Sequence, residues 1–334
     1  LSSAQTRPYE LLLGQVSACP AAQRPVAEVL IGLTWTLCRA EGEPAAPESG
    51  SACGLAMSPG RLSRTLSWPG TLAGRPLGEL ADWLSSWDPF ESTVGMAALN
   101  CALNPGSESA ADATPLFPDG ADNLAVFRHF APRLPGKRVV VVGRYPGLES
   151  LDIPWELTVL ERQPGPDDLP DTAAEALLPE ADWVFLTGMS IPNKTFPRLA
   201  ELAQDAQLVL MGPTVPWVPA LRDLGVDYLA GVQVTEPERL RQTVAEGGGT
   251  RIFETGVRYA VLDLAASRLD RLRQAIAATV AARDGLKQEM DAWYGAGNRA
   301  RFPAWSRLSA VDQALSGLDT RFKSAYDATE PRSP

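Results

Sequence analysis

The stretch Arg138-Val139-Val140-Val141-Val142-Gly143-Arg144-Tyr145-Pro146-Gly147 decides how the rest of the chain is read. Four valines in a row, with a charge before them and a glycine after, show no alternation of apolar and polar residues. That is the pattern of a short strand buried on both faces, as strands of parallel sheets are. Similar short apolar runs recur downstream at 157–160, 183–186, 208–211, 228–230 and 258–262. Helical stretches precede the first strand at 123–130 and lie between later ones at 172–178, 196–204, 218–224 and 237–245. Strand–helix alternation with short buried strands predicts a doubly wound parallel sheet over residues 121–265.

Upstream, residues 1–112 read as a small α+β domain. A short helix is expected over 9–16. A strand is expected over 26–38, with Gly32 marking a bulge or a close approach, and a partner strand over 51–57. Helices follow over 76–86 and 90–103, the second with Asp88 as N-cap and Pro89 in its first turn. Residues 105–120, rich in Ser, Ala, Asp, Pro and Gly, are the expected boundary. From 266 to 334 a helical extension carries two apolar stripes. One is Leu269, Leu272, Ile276 and Val280; the other is Leu308, Val311, Leu315, Leu318, Phe322 and Tyr326, with a turn at 294–304 between them. The fold class is therefore α/β, with a helical C-terminal tail.

The net charge is −10 and no Lys/Arg run exceeds two residues, so the basic footprint that nucleic acid requires is missing. An anionic membrane surface is disfavoured for the same reason, and no apolar run reaches the roughly 20 residues needed to span a bilayer. The first 15 residues lack a secretory layout. Four cysteines without a C-x-x-C pair read as reduced thiols in a cytoplasmic protein.

Ligands of open α/β sheets bind beyond the carboxyl ends of the strands. The residues there are Gly143, Arg144, Tyr145 and Pro146; Glu161 and Arg162; Thr187 and Gly188, followed by Asn193 and Thr195; and Gly212, Pro213, Thr214 and Trp217. Trp217 is the tryptophan expected to stack on a ligand. Trp35 and Asn100 join the set from the first domain; the Asn100 amide either reaches the interdomain cleft or caps its helix. Trp83 and Trp87, four apart, are expected in the core.

Glu161 stands 18 residues beyond Gly143, near the roughly 20-residue offset of a ribose-binding acid, which would suit an adenosine-containing ligand. The turn is not G-x-G-x-x-G, however, and Pro146 removes an amide donor. Metal sites need clustered His, Cys or carboxylates. The single histidine, His129, reads as a packing or capping residue, and the cysteines sit at apolar positions. A metal ion carried by a chelating ligand would need few protein donors. Asp167 and Asp168, in a proline loop, read as solvated surface. Gly247-Gly248-Gly249-Thr250 reads as a flexible turn. No Ser/His/Asp arrangement and no general acid or base is legible, so whether the protein is an enzyme stays open.

Several segments together resemble a known family. They are Val141–Pro146, Leu160-Glu161-Arg162, Thr187-Gly188 with Asn193 and Thr195, Gly212-Pro213-Thr214 with Pro216, and Gly231-Val232. In the first half they are Gly32-Leu33-Thr34-Trp35-Thr36, Gly74-Arg75-Pro76-Leu77 and Gly95-Met96-Ala97-Ala98-Leu99-Asn100. Over about residues 9–262 the chain resembles the "putative heavy-metal chelation" family. That resemblance implies an enolase-N-terminal-like first domain, a Rossmann-like second domain and a site between them, with the helical tail as an addition.

Three readings stand. The first is a small-molecule or metal-chelate binding protein, enzyme or carrier, using the interdomain cleft. The second is a non-catalytic scaffold that recruits a protein partner, or a second copy of itself, through residues 266–334. The third is a nucleotide-dependent enzyme with Glu161 on a ribose.

Overall fold

The computed structural model describes residues 3–42, 52–61, 63, 65–116 and 123–329. Part of the connection expected over 41–50, the start of the expected strand at 51, and the far end of the expected boundary (117–120) lie outside the described residues. The helices are α1 (Ser3–Ala18), α2 (Leu77–Ala81), α3 (Pro89–Leu103), α4 (Glu108–Asp112), α5 (Ala125–Phe130), α6 (Ala174–Leu177), α7 (Phe196–Leu202), α8 (Pro237–Ala245), α9 (Ile252–Thr255), α10 (Ala265–Gly295) and α11 (Trp305–Thr329). The strands of the small sheet are β1 (Val26–Ile31), β2 (Trp35–Ala40) and β3 (Cys53–Met57). Those of the large sheet are β4 (Thr114–Pro115), β5 (Arg138–Val142), β6 (Glu156–Glu161), β7 (Leu169–Pro170), β8 (Trp183–Thr187), β9 (Gln207–Met211), β10 (Tyr228–Val234) and β11 (Val257–Asp263).

The expected long strand over 26–38 is instead a hairpin, β1 and β2, reversing at Gly32–Thr34, where the Gly32 amide donates to the Trp35 carbonyl at 2.9 Å. Side-chain alternation persists on both sides of the turn, so periodicity alone does not reveal it. Gly32 is also a close approach: a Cβ there would stand 2.4 Å from the Val244 carbonyl oxygen. β3 completes the antiparallel sheet in the order β1-β2-β3. Against it lies α3, buried from Ser92 to Ala102. Asp88 caps α3 as expected, accepting from Phe90 N at 2.8 Å and Glu91 N at 3.1 Å. Gly54 lets helix and sheet touch, since a Cβ would fall 2.1 Å from the Cys101 nitrogen.

The large sheet runs β4-β11-β10-β9-β8-β5-β6-β7. From β10 to β7 every pairing is parallel; β11 and β4 add an antiparallel edge that the run of short strands did not announce. The chain starts at β5, steps outward to β6 and β7, then returns to lay β8 on the other side of β5 and continues to β9 and β10. This is the 3-2-1-4-5-6 order of doubly wound sheets, and its switch point lies between β5 and β8. β4 and β7 are two residues each, too short to leave a sequence signal.

Both faces are covered, as the valine run requires. Val140, Val142, Val184, Leu186, Leu208 and Leu210 share one core with α3 and the small sheet. The opposite face is aromatic: Phe127 and Phe185 are 4.8 Å apart, Phe130 and Tyr228 4.9 Å. Each fully buried valine contributes roughly 1.5–3 kcal/mol relative to exposure.

Leu1–Leu264 forms one compact body and Ala265–Pro334 another. The second is a helical hairpin of α10 packed on α11. Its turn is fastened by the Trp293 indole donating to the Ala300 carbonyl at 3.2 Å, and by Asn298 Nδ2 donating to the Trp293 carbonyl at 2.9 Å.

Candidate functional site

At the switch point β5 is followed by Gly143, whose φ of 101° is left-handed. A Cβ on Gly143 would lie 3.1 Å from Thr187 Cβ, so the glycine lets the ends of β5 and β8 close on each other. Two residues on, the Tyr145 hydroxyl reaches past Thr187 toward β9 and donates to the Met211 carbonyl at 3.5 Å. Gly212, φ 112°, leaves room for it: a Cβ there would be 3.6 Å from that hydroxyl. The ring stands edge-on to Phe127 at 5.3 Å. Burial raises the Tyr145 pKa well above that of a free phenol, so the hydroxyl keeps its proton and serves in hydrogen bonding, not as a base.

Glu161 clasps the neighbouring turns. Its Oε2 accepts from Arg144 N at 2.9 Å, and its Oε1 from Arg162 N at 2.7 Å. A ribose would have to compete with these backbone amides. Arg144 pairs with Asp168 at 3.0 Å, and the Asp168 side chain is only 5% exposed. Asp168 also accepts from Gly165 N at 2.8 Å. The expectation of a solvated Asp168 is therefore corrected: the proline loop folds back onto Arg144, a tertiary contact that composition does not report. Arg162 pairs with Asp171 at 3.3 Å, and Pro146, exposed, receives Asn123 Nδ2 on its carbonyl at 2.9 Å.

The other expected wall residues lie in a seam. α3 crosses the loops that follow β8 and β9. Its Ser92 hydroxyl donates to the Pro192 carbonyl at 3.0 Å. Its Asn100 Nδ2 donates to the Leu55 carbonyl at 2.8 Å and the Thr214 carbonyl at 2.9 Å. Asn104 Oδ1 accepts from Trp217 N at 2.9 Å, and Thr214 Oγ1 accepts from Met57 N at 3.0 Å. Of the two roles weighed for Asn100, the amide reaches across the seam. Its Oδ1 is buried without a hydrogen-bond partner. Gly188 and Pro213 are buried here too.

Trp217, expected to stack on a ligand, is 3% exposed; its indole donates to the Val232 carbonyl at 3.2 Å. The backbone of Gly231 lies against its ring, where a Cβ would come within 3.0 Å. Trp35 is likewise buried and donates to the Gly249 carbonyl at 2.9 Å, which ties down the loop expected to be flexible. Of the expected strand-end residues, Gly143, Arg144, Tyr145, Pro146, Glu161, Arg162 and Thr187 keep access to solvent, as do Asn193 and Thr195.

Asn193 and Thr195 are half-buried in the loop after β8, with Lys194 between them in left-handed conformation, φ 67°. Reading strand ends for Gly, Thr and Asn passed over Lys194. Its rarity was the available signal, since the chain has four lysines. Trp87, expected in the core, is 68% exposed, because the chain leaves helical geometry at Ser86.

Among the described residues no group of three or more His, Cys, Asp or Glu could hold a metal ion. Cys38, Cys53 and Cys101 are buried; burial pushes the Cys53 thiol up to about 12, and the Cys101 thiol rises well above its ordinary range beside Cys38. Both stay protonated and poor as ligands. His129 packs edge-on to Phe130 at 4.8 Å, and partial burial with nearby Arg133 lowers its pKa. These donors do not fit a resident metal ion. No helix among the described residues is long and apolar enough to cross a membrane.

Residues 17–103 and 125–263 each match a family described as "Putative heavy-metal chelation". A protein with unknown function from Desulfitobacterium hafniense DCB-2, of known crystal structure, is 30% identical with a TM-score of 0.66, over 78% of this chain and 100% of its own. The chain belongs to this chelation family. A family member from Pyrococcus horikoshii, at 23% identity and a TM-score of 0.61 over 75% of this chain and 98% of its own, shares the fold. An uncharacterized protein of Methanocaldococcus jannaschii is 28% identical over 174 residues, which span 49% of this chain and 62% of that relative. Both chelation-family matches end before α10.

Proposed function

We propose that this chain binds a small metal chelate beyond the carboxyl ends of β5 and β8, at the switch point of the sheet, the metal arriving already coordinated by its organic ligand. The observation that carries the reading is the meeting of Gly143, Tyr145, Thr187 and Gly212 at the switch point of the sheet. The glycines let Tyr145 and Thr187 pack together at the strand ends, and the half-buried Thr187 hydroxyl is placed to orient a ligand. Arg144 and Arg162, 52% and 50% exposed, stand at the rim in ion pairs that an anionic ligand can exchange. The family description supports a metal-related ligand, and the scattered donors support one that brings its own coordination. Glu161 is engaged by the Arg144 and Arg162 amides and Asp168 by Arg144 and the Gly165 amide, which supports a reading of binding and carriage.

Equilibrium dialysis against free Ni²⁺, citrate alone and Ni²⁺–citrate tests this. The expected result is retention of the complex in preference to either component, with loss in Thr187→Val. Retention of free Ni²⁺ alone, or of none of the three, overturns it.

A further inference from the structure

We infer a second ligand site, for a small amphipathic carboxylate, in the cavity beside Lys194. The cavity holds about 290 Å³ and is lined by Tyr9, Leu13, Trp87, Lys194, Pro197 and Arg198 among others. That volume lies at the small end of ligand pockets and suits roughly ten non-hydrogen atoms.

Lys194 is held in its wall by an unusual arrangement. Its backbone takes a left-handed conformation that non-glycine residues avoid. The side chain crosses to the first half of the molecule. There Nζ donates to the Leu84 carbonyl and, at 2.9 Å, to the Ser92 hydroxyl, and stands 4.7 Å above the Tyr9 ring. All three partners are neutral, and no ion pair of Lys194 occurs among the described residues. A half-buried ammonium without a counter-ion is unfavourable, and its desolvation lowers the Lys194 pKa to about 8.

The other charges around the cavity leave that role open. Arg198 is saturated by Glu175 at 2.5 Å and Glu201 at 2.8 Å. Glu10 is exposed on the rim, where water screens it. Tyr9 stays neutral, its pKa raised by burial, and its hydroxyl donates to the Ile191 carbonyl at 3.1 Å. Trp87 presents a large apolar surface with nothing over it, 68% exposed. A ligand with a carboxylate against Nζ and an apolar body along Leu13 and Trp87 would satisfy both the uncompensated charge and the uncovered ring.

Calorimetric titration of the full chain with octanoate, octanol and octylamine at pH 7 tests the site without any metal, so its outcome is separable from that of the strand-end site. Octanoate is expected to bind at least tenfold tighter than either neutral or cationic analogue. The preference should shrink at pH 9.5, where the amine is mostly neutral, and vanish in Lys194→Met. A second variant, Trp87→Ala at an exposed position, should weaken octanoate about fivefold and keeps the test decisive if the lysine variant misfolds. Equal affinity for octanol and octanoate, a preference untouched by pH or by Lys194→Met, or no binding of any probe at millimolar concentration would each overturn the inference.

Discussion

Replacing Asn100 by alanine should loosen the seam between α3 and the loop after β9 by a calculable amount. The amide sits at 0% exposure and gives its two hydrogens to the Leu55 carbonyl at 2.8 Å and the Thr214 carbonyl at 2.9 Å. Each such bond contributes about 1 kcal/mol net, and an acceptor left buried without a partner adds to the loss. The void left by the amide raises the total to roughly 2–4 kcal/mol. For a body of this size that corresponds to a fall in Tm on the order of 10 °C. Thermal and urea unfolding followed by circular dichroism would measure it.

Asn100→Asp sharpens the test. It sets a carboxylate against two carbonyl oxygens in a dry site, so its folded pKa must rise above the unfolded value of about 3.9. The unfolded state then loses its proton first, and stability falls as pH climbs through that window. The variant should lie nearer wild type at pH 5 than at pH 8. If Asn100→Ala lies within about 0.5 kcal/mol of wild type, below the net worth of a single such bond, or Asn100→Asp is indifferent to pH, the seam is not held as described.

Three further outcomes follow. Gly143→Ala, which forces a side chain into φ 101° and 3.1 Å from Thr187 Cβ, should cut retention of Ni²⁺–citrate at least tenfold; undiminished retention would remove the switch point as the site. A chromogenic disulfide reagent at pH 8 should modify only the half-buried Cys19 in the native protein and all four cysteines after denaturation; rapid native reaction of three thiols would contradict the burial of Cys38, Cys53 and Cys101. Lys194, with a pKa lowered to about 8, binds fewer protons folded than unfolded between pH 8 and its ordinary range near 10.5, so its contribution to stability rises with pH across that interval. The Tm difference between wild type and Lys194→Met should therefore move in favour of wild type from pH 8 to pH 10, and a flat difference would refute the shift.

The valine run legibly implies a buried parallel strand, and β5 occupies the very residues 138–142. Asp88 announces the start of α3 because capping is local chemistry, visible in four residues. The β1–β2 hairpin is not legible, since alternation continues through Gly32-Leu33-Thr34 and only tertiary contact with Val244 distinguishes a reversal from a bulge. The strand-end rule reads Gly143, Tyr145 and Thr187 as lying at the ends of β5 and β8, which is where the structure has them. It cannot tell them from Thr214 and Trp217, because nothing in the second half of the sequence reports that α3 lies across those loops. Lys194 escaped for a related reason: its left-handed backbone and its reach to Leu84 and Ser92 exist only once both halves are assembled.

The placement of α3 has a consequence for how this chain can be divided. Its Ser92 and Asn100, with Asn104 at its C-cap, provide partners that the loops after β8 and β9 do not find within their own half of the chain. A fragment beginning after residue 116 would carry those loops into water without the partners that Ser92, Asn100 and Asn104 supply, and would be sticky. A fragment ending there would expose the apolar girdle of α3 instead. The two pieces, coexpressed, should find each other and reconstitute the seam, behaving as an enforced heterodimer whose subunits happen to be encoded in tandem.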